Sequence, residues 1–256
     1  MIEKVINIDF DFTLDTPGFW DSFNTNHNLS SVDPDIFSPT LRRYHQILWS
    51  RKLPDGEFMN LELSGNPRTR YLAWNGMRFG SDSIINCYLH TRKIKSLINE
   101  IIDDVGNFVA FHQKYLHESY RIGQSIIFPK HRNSLNQCRG MNRHIQDRFD
   151  LTLECIRRYY SGEKSPLYNA LERDESFFLL FRDFKGYVDF FYLNDIVSED
   201  YSGISFFLDF DDFKRNPLPE NKQEWHELYR KQMLFLQRRG ERIERALNGN
   251  LSKTST

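Results

Sequence analysis

The chain has 256 residues, with 35 acidic side chains against 34 basic ones and a net charge of −1. That balance leaves no global field to draw it onto nucleic acid or membrane, so any polyanion contact must come from a local patch. Hydrophobic residues make up 39% and aromatic residues 15%, including 22 Phe, which excludes disorder over most of the length and predicts an aromatic-rich core.

The predicted elements follow in chain order. An apolar strand at 4–12 leads into a turn-rich polar stretch from Thr16 to Pro39, read as a surface loop or insert. The segment 41–50, LRRYHQILWS, reads as a strand stopped by the turn LPDG. Residues 70–89 read as strand, turn, strand, with the turn at Gly80-Ser81-Asp82-Ser83. Residues 92–116 carry helical spacing through Ile94, Leu97, Ile98, Ile101 and Ile102. A buried strand at 122–129 stops at Pro129, and the clearest helix follows at about 142–160. A short helix at 166–184 precedes two aromatic runs, GYVDFFYL and GISFFLDFDDF, with strand or buried-helix character. A final Arg-rich helix spans 220–247.

Strands and helices interleave irregularly, which predicts an α+β fold rather than a regular doubly wound sheet. The expected organisation is a single mixed domain over 1–219, a C-terminal helix over 220–248 packed on it, and a disordered tail at 249–256. No apolar run approaches ~18 residues and the N-terminus has no basic-then-apolar leader pattern, so a cytoplasmic protein without membrane contact is expected. Cys87, Cys138 and Cys155 lie far apart with no CxxC pair, which disfavours a disulfide framework or a structural zinc site. No metal is expected.

Two patterns carry candidate chemistry. The first is Asp9-x-Asp11 after an apolar stretch, close to the opening motif of the haloacid-dehalogenase-like phosphohydrolases. Those enzymes place a Gly after the second Asp so that backbone amides can approach phosphate, and here Phe12 stands there. The alternative is a period-two strand with Phe on one face and Asp on the other. The second pattern is the 142–160 helix, apolar over a wide arc, with one charged stripe of Arg143, Asp147, Asp150, Glu154 and Arg157. A helix that apolar is expected to be buried, so its charged stripe is expected to line a cleft. A salt-bridge ladder on an exposed face is the competing expectation.

The blocks SPTLRRYHQILWSRKLPDG, FGSDSII, SIIFP, RGMNRHIQDRFDLTLECIRRYY and DFKGYVDFFYLNDIVSEDYSGISFFLDFDDFKRNPLP together resemble a bacterial family known only as a domain of unknown function. The resemblance covers most of residues 9–219. It extends to Asp11, Phe12 and Asp15 but not to Asp9, and it implies no activity of its own.

A strand at 41–50 would put Arg43 and His45 on one face, and Ser81 and Ser83 would share a side two residues apart. A basic residue, then Ser-x-Ser, then Glu154 is similar in order to the ADP-ribosyltransferases. That likeness implies NAD as substrate, gripped by a basic residue. It also implies a nicotinamide pocket shaped by Ser81 and Ser83, and a Glu that stabilises the ribosyl cation. Glu154 and His45 are then the catalytic candidates, with Glu199 in reserve. Arg43, Ser81, Ser83, Arg139 and Arg143 are the NAD-binding candidates, and Asp147, Asp150 and Arg157 line the rest of the cleft.

The resulting expectation is an NAD-dependent ADP-ribosyltransferase, in the manner of a toxin or phage-defence effector. A metal-dependent phosphohydrolase or a non-catalytic interaction protein are the alternatives. An antitoxin or regulatory protein is the expected partner, with nucleic acid reached through the Arg-rich last helix.

Overall fold

The computed structural model describes residues 6–25, 27–63, 71–88, 94, 97, 100–101 and 106–253, with side chains to 248. It is α+β. Four antiparallel strands, β1 (Glu62–Leu63), β2 (Leu72–Trp74), β3 (Met77–Ser83) and β4 (Ser125–Pro129), lie in chain order across one sheet. Asn75 and Gly76 both take positive φ, 46° and 76°, the backbone that a two-residue hairpin needs, and so they turn β2 into β3. Gly80-Ser81-Asp82-Ser83, expected as that turn, instead lies inside β3, paired through Ser81↔Ile127 and Ser83↔Ser125. The Ser-Asp-Ser side chains therefore alternate across the sheet, with the two serines on one face and Asp82 on the other.

The segment read as a strand at 41–50 is a helix. After α1 (Phe19–Asn24) and α2 (Pro34–Phe37), Ser38 caps α3 (Pro39–Trp49) by accepting a bond from Leu41 N, and Pro39 occupies its first turn. Leu41, Tyr44, His45, Leu48 and Trp49 are its buried residues, a helical stripe. Positions two apart on a helix diverge, so Arg43 is exposed while His45 is buried, and the expected shared face does not exist. The supposed loop from Thr16 to Pro39 therefore holds helices. The supposed first strand has none of its ladder: Asn7 and Asp11 side chains accept from the backbone N–H of Asp9 and Thr13, which curls the chain into turns.

The central helix breaks in two. α5 (Leu135–Met141) ends before a tight turn in which Gln146 and Asp147 hold φ of 43° and 61°, and α6 (Phe149–Tyr160) begins after it. Arg143 and Asp147 therefore sit in the turn, off the helix that carries Asp150, Glu154 and Arg157. Of the expected helix at 92–116, the C-terminal part is α4 (Phe108–Ser119), and most of 92–105 lies outside the described residues. The aromatic run at 186–193, read as either strand or buried helix, is mostly helical. It follows α7 (Tyr168–Arg173) and α8 (Glu175–Phe178) as α9 (Phe184–Phe190). The run at 203–213 is turns, with one isolated β-bridge, Val197↔Ile204. The last helix, α10, is longer than expected, Lys222–Lys253, and continues into the segment read as a tail; residues 254–256 lie outside the described ones.

The core has an aromatic centre in which Phe181, Tyr187, Phe190 and Phe191 pack with ring centroids 5.0–5.3 Å apart, and Trp49 joins them 5.1 Å from Phe191. α10 closes the other side. A side-chain carbon on Gly123 would stand 2.4 Å from the carbonyl of Leu236, so only glycine allows that approach. Arg239 on α10 is fully buried and donates to the carbonyls of Gly123 at 2.7 Å, Ser125 at 3.0 Å and Phe191 at 3.1 Å.

Asp150, expected in a cleft, is instead part of this framework. It is completely buried, is gripped by Arg148 and accepts from Phe207 N at 2.9 Å. Asp150→Ala would leave the buried Arg148 guanidinium without its counter-charge, at an expected cost of roughly 3–5 kcal/mol. Chemical denaturation of wild type and variant checks this, and a loss below about 1 kcal/mol would mean that the pair is not what joins α6 to the 207 segment.

Candidate functional site

A cavity of about 830 Å³ opens beside the C-terminal end of β3. Its lining includes the apolar side chains of Phe23, Phe108, Tyr115 and Leu116 and the acids Asp33, Asp35, Asp82 and Asp147. Pro34 follows Asp33 as the first residue of α2, and the Asp33 side chain accepts from Asp35 N at 3.0 Å, so one capped turn places both carboxyls at the sheet edge.

Asp35 sits against the serine face of β3. Its two carboxyl oxygens accept from Ser81 Oγ at 2.5 Å and from Ser83 Oγ at 2.7 Å. On the other face Asp82 meets Arg139, whose Nη1 stands 2.6 Å from Asp82 Oδ2. Arg139 is buried and also donates to Ser83 O, Asp147 O and Thr152 Oγ1. Asp147 reaches the same guanidinium at 3.5 Å, and Gly140 leaves room for it: a carbon there would stand 3.0 Å from its carboxylate.

Each of these acids keeps its open side toward the cavity and protein on the others, Asp82 with 22% of its side-chain surface accessible. Burial is the main cause of the shifted titration of Asp33, Asp35 and Asp82. It pushes Asp33 up to about 6, with the Asp82 charge adding to the shift. It pushes Asp35 up to about 7, assisted by the Asp33 charge and opposed by the two serines and Arg139. Asp82 is also pushed up to about 7 by burial, more than Arg139 can offset. Carboxyls of this kind hold and release protons near neutrality, the range that acid–base catalysis uses.

His45 joins the site from behind. Trp49 Nε1 donates to His45 Nδ1 at 2.8 Å, which leaves the proton on Nε2, 2.8 Å from Ser81 Oγ. The bonds run in one direction, from Trp49 through His45 and Ser81 to Asp35. Burial, with the Arg239 charge beside it, lowers the imidazole to about 3. His45, a catalytic candidate in the sequence, is thus a neutral donor that orients Ser81 from behind the cavity.

The other expected site residues lie elsewhere. Glu154 is held by Arg157 at 2.8 Å and Arg158 at 2.7 Å, the ladder arrangement, and is not among the residues lining the cavity. Arg43 and Arg143 are exposed and also outside it, and Glu199 is exposed in a turn. Arg139 is brought to the site, but as the partner of carboxylates: four of its five N–H donors go to Asp82, Ser83 O, Asp147 O and Thr152. Of the opening motif, Asp9 points outward to Arg121 at 2.9 Å, while Asp11 accepts from Thr13 and meets His117 at 2.5 Å. Those two acids do not converge. On the Arg-rich helix, Arg239 is buried and Arg242 is tied to Asp195, so a continuous basic stripe does not form. Among the described residues no set of three His, Cys, Asp or Glu side chains is arranged to hold a metal ion, the three cysteines are free, and no helix is long and apolar enough to cross a membrane.

The site is thus an acid-lined cavity on a small antiparallel sheet, in an α+β domain. Residues 6–243 match a family described as a family of unknown function, DUF6994, and the chain belongs to that family. No curated protein and no solved structure matches it.

The raised carboxyls have a consequence for stability. An acid whose folded-state pKa lies above its unfolded value binds more protons when folded, so its contribution is complete at low pH and is lost as pH rises through the folded value, here from 3.8 to about 7. His45 works the other way, its contribution present above 6.5 and lost as pH falls toward about 3. Between about pH 8 and pH 6.5 His45 does not act, and the acids are joined only by His131, whose imidazole is raised, against the opposing effect of burial, by its bonds to Arg132 O and Asp174, and which works in the same direction. The melting temperature of wild type is expected to rise as pH is lowered over that range, and less so for Asp35→Asn; a flat wild-type profile would contradict the buried-acid account.

Proposed function

We propose that this chain is an enzyme that breaks a glycosidic or N-glycosidic bond by carboxyl acid–base catalysis. The observation that carries the reading is the set Asp33, Asp35 and Asp82 lining one cavity of about 830 Å³, with carboxyls that titrate at about 6 and 7. Near neutral pH such a set holds at least one proton to give to a leaving group and one negative charge to face the carbon that loses it. A sugar that passes through an oxocarbenium-like state becomes more positive on the way, so facing carboxylates stabilise the transition state more than the ground state. A phosphoryl group at the reacting position would bring negative charge against these acids, so a substrate that carries phosphate, NAD included, must keep it away from them.

NAD-dependent ADP-ribosyl transfer is the narrower form of this reading. In it the carboxylate role falls to Asp35 rather than Glu154, while Ser81 and Ser83 shape the pocket by way of that carboxyl. Cavities of roughly 300–1,000 Å³ suit a ligand of nucleoside size, and the aromatic wall of Phe23, Phe108 and Tyr115 offers flat surface for a base or nicotinamide ring.

The test is turnover of a panel of aryl glycosides, nucleosides and NAD, with release of the leaving group as the signal. Asp35→Asn is expected to lower kcat/KM by on the order of 10²–10⁴, and the wild-type rate to follow a bell in pH because one carboxyl must be protonated and another ionised. Glu154→Gln, which alters only the ladder, is expected to leave the rate within about twofold. A folded wild type that turns over no member of the panel would remove this reading.

A further inference from the structure

A second cavity, of about 450 Å³, lies between the 51–54 segment and the start of α9, and it shares no lining residue with the acid-lined one. Its walls carry four cations, Arg51, Lys52, Arg182 and Lys185, against two acids, Asp183 and Asp189. Both acids are engaged. Asp183 accepts from Gly186 N at 2.7 Å, and Asp189 is held by Lys185, Asn194 and Tyr201. Among the described residues Lys52 and Arg182 form no side-chain ion pair.

Arg51 is the most constrained of the four. Its guanidinium lies over the rings of Phe190 at 4.3 Å, Tyr192 at 4.4 Å and Trp49 at 5.6 Å, and donates to Tyr192 Oη. Its Nε and Nη2 are buried with no hydrogen-bond partner. These two unmatched donors leave the cation short of counter-charge beside the cavity that it lines.

Arg182 supplies the second observation. It sits at φ 66° and ψ −51°, with Asp183 N donating to Phe181 O at 2.8 Å across it. That is the strained, positive-φ form of the γ-turn, which a side chain with a Cβ rarely adopts. The turn is locked from the far side, because a carbon on Gly186 would stand 2.1 Å from Phe181 O. Glycine would hold the conformation at no such cost. Keeping arginine there spends stability to hold a guanidinium on this cavity, and retained strain of this sort points to a binding role.

We infer that this cavity is a binding site for the phosphate group of a small phosphomonoester. Arg51, Lys52 and Arg182 would meet the phosphate, and Leu53, Pro54, Phe181 and Phe190 its carrier. The inference does not depend on the chemistry of the acid-lined cavity.

Binding of inorganic phosphate, AMP and adenosine by the full chain, followed by calorimetry and by backbone amide shifts, is the test. Wild type is expected to bind phosphate and AMP but not adenosine, more weakly as salt is raised. Tighter binding of AMP than of phosphate supports contact with the carrier; equal affinity assigns the site to free phosphate. Arg182→Gly is expected to melt at higher temperature, because the strain is gone, and yet to bind roughly tenfold to a hundredfold more weakly. Arg182→Gln, which keeps the backbone strain and a similar side-chain length, is expected to lose binding without gaining stability. Absence of phosphate and AMP binding by wild type at millimolar concentration would overturn the inference, and so would unchanged affinity in both Arg182 variants.

Discussion

The candidate site depends on one guanidinium. Arg139 reaches from α5 into the interior, pairs with Asp82 on β3, holds the carbonyls of Ser83 and Asp147, and touches Thr152 on α6. A buried cation with this many acceptors ties the sheet, the 142–148 turn and the second half of the broken helix into one body. It also sets the charge of the cavity. Without a buried positive charge, several carboxyls gathered at one strand end would repel one another out of the interior. With a single one, some can ionise and the others stay partly protonated.

The protein thus separates two ways of handling buried charge. At Arg148 and Asp150 the pair is closed, its hydrogen bonds filled by Phe207 N and Pro217 O, and it is sealed from solvent. At Asp33, Asp35 and Asp82 the negative groups outnumber the cation that faces them, and a cavity gives them access to solutes. The first arrangement holds α6 in place. The second has the imbalance from which catalytic sites draw shifted titration.

α3 connects the two cavities. His45 on it points a fixed proton at Ser81, while Trp49, one turn later, packs on Arg51 and on the aromatic centre and also receives the Arg239 guanidinium 6.0 Å from its ring. A helix buried on one continuous stripe has no freedom to rotate, so the direction of the Trp49–His45–Ser81–Asp35 chain is built into the packing. Trp49 fixes that helix against the aromatic centre through Phe191, and Arg239 of α10 lies near the same ring.

How much of this was legible beforehand follows from which interactions are local. The amino-acid sequence by itself determined the α+β class, the aromatic core, the strand ending at Pro129, the C-terminal helix and the chain's place in its family, because these rest on composition, local periodicity and long sequence blocks. It also contained the Asp33-Pro34-Asp35 turn and the Ser81-Asp82-Ser83 run in plain view. Nothing local marks them as partners, since Asp35 and Ser81 are 46 residues apart and Arg139 and Asp82 are 57 apart. The stripe from Arg143 to Arg157 looked continuous because periodicity assumes an unbroken helix, whereas left-handed backbone at Gln146 and Asp147 splits it. The 41–50 segment reads as a strand because it alternates or runs apolar up to the LPDG turn, yet the Ser38 cap and the stripe it buries make it a helix. Which carboxyls are dehydrated, which arginines are already spent and which strain is retained were decided only by the tertiary structure, because burial and long-range pairing are properties of the packed chain and not of any segment of it.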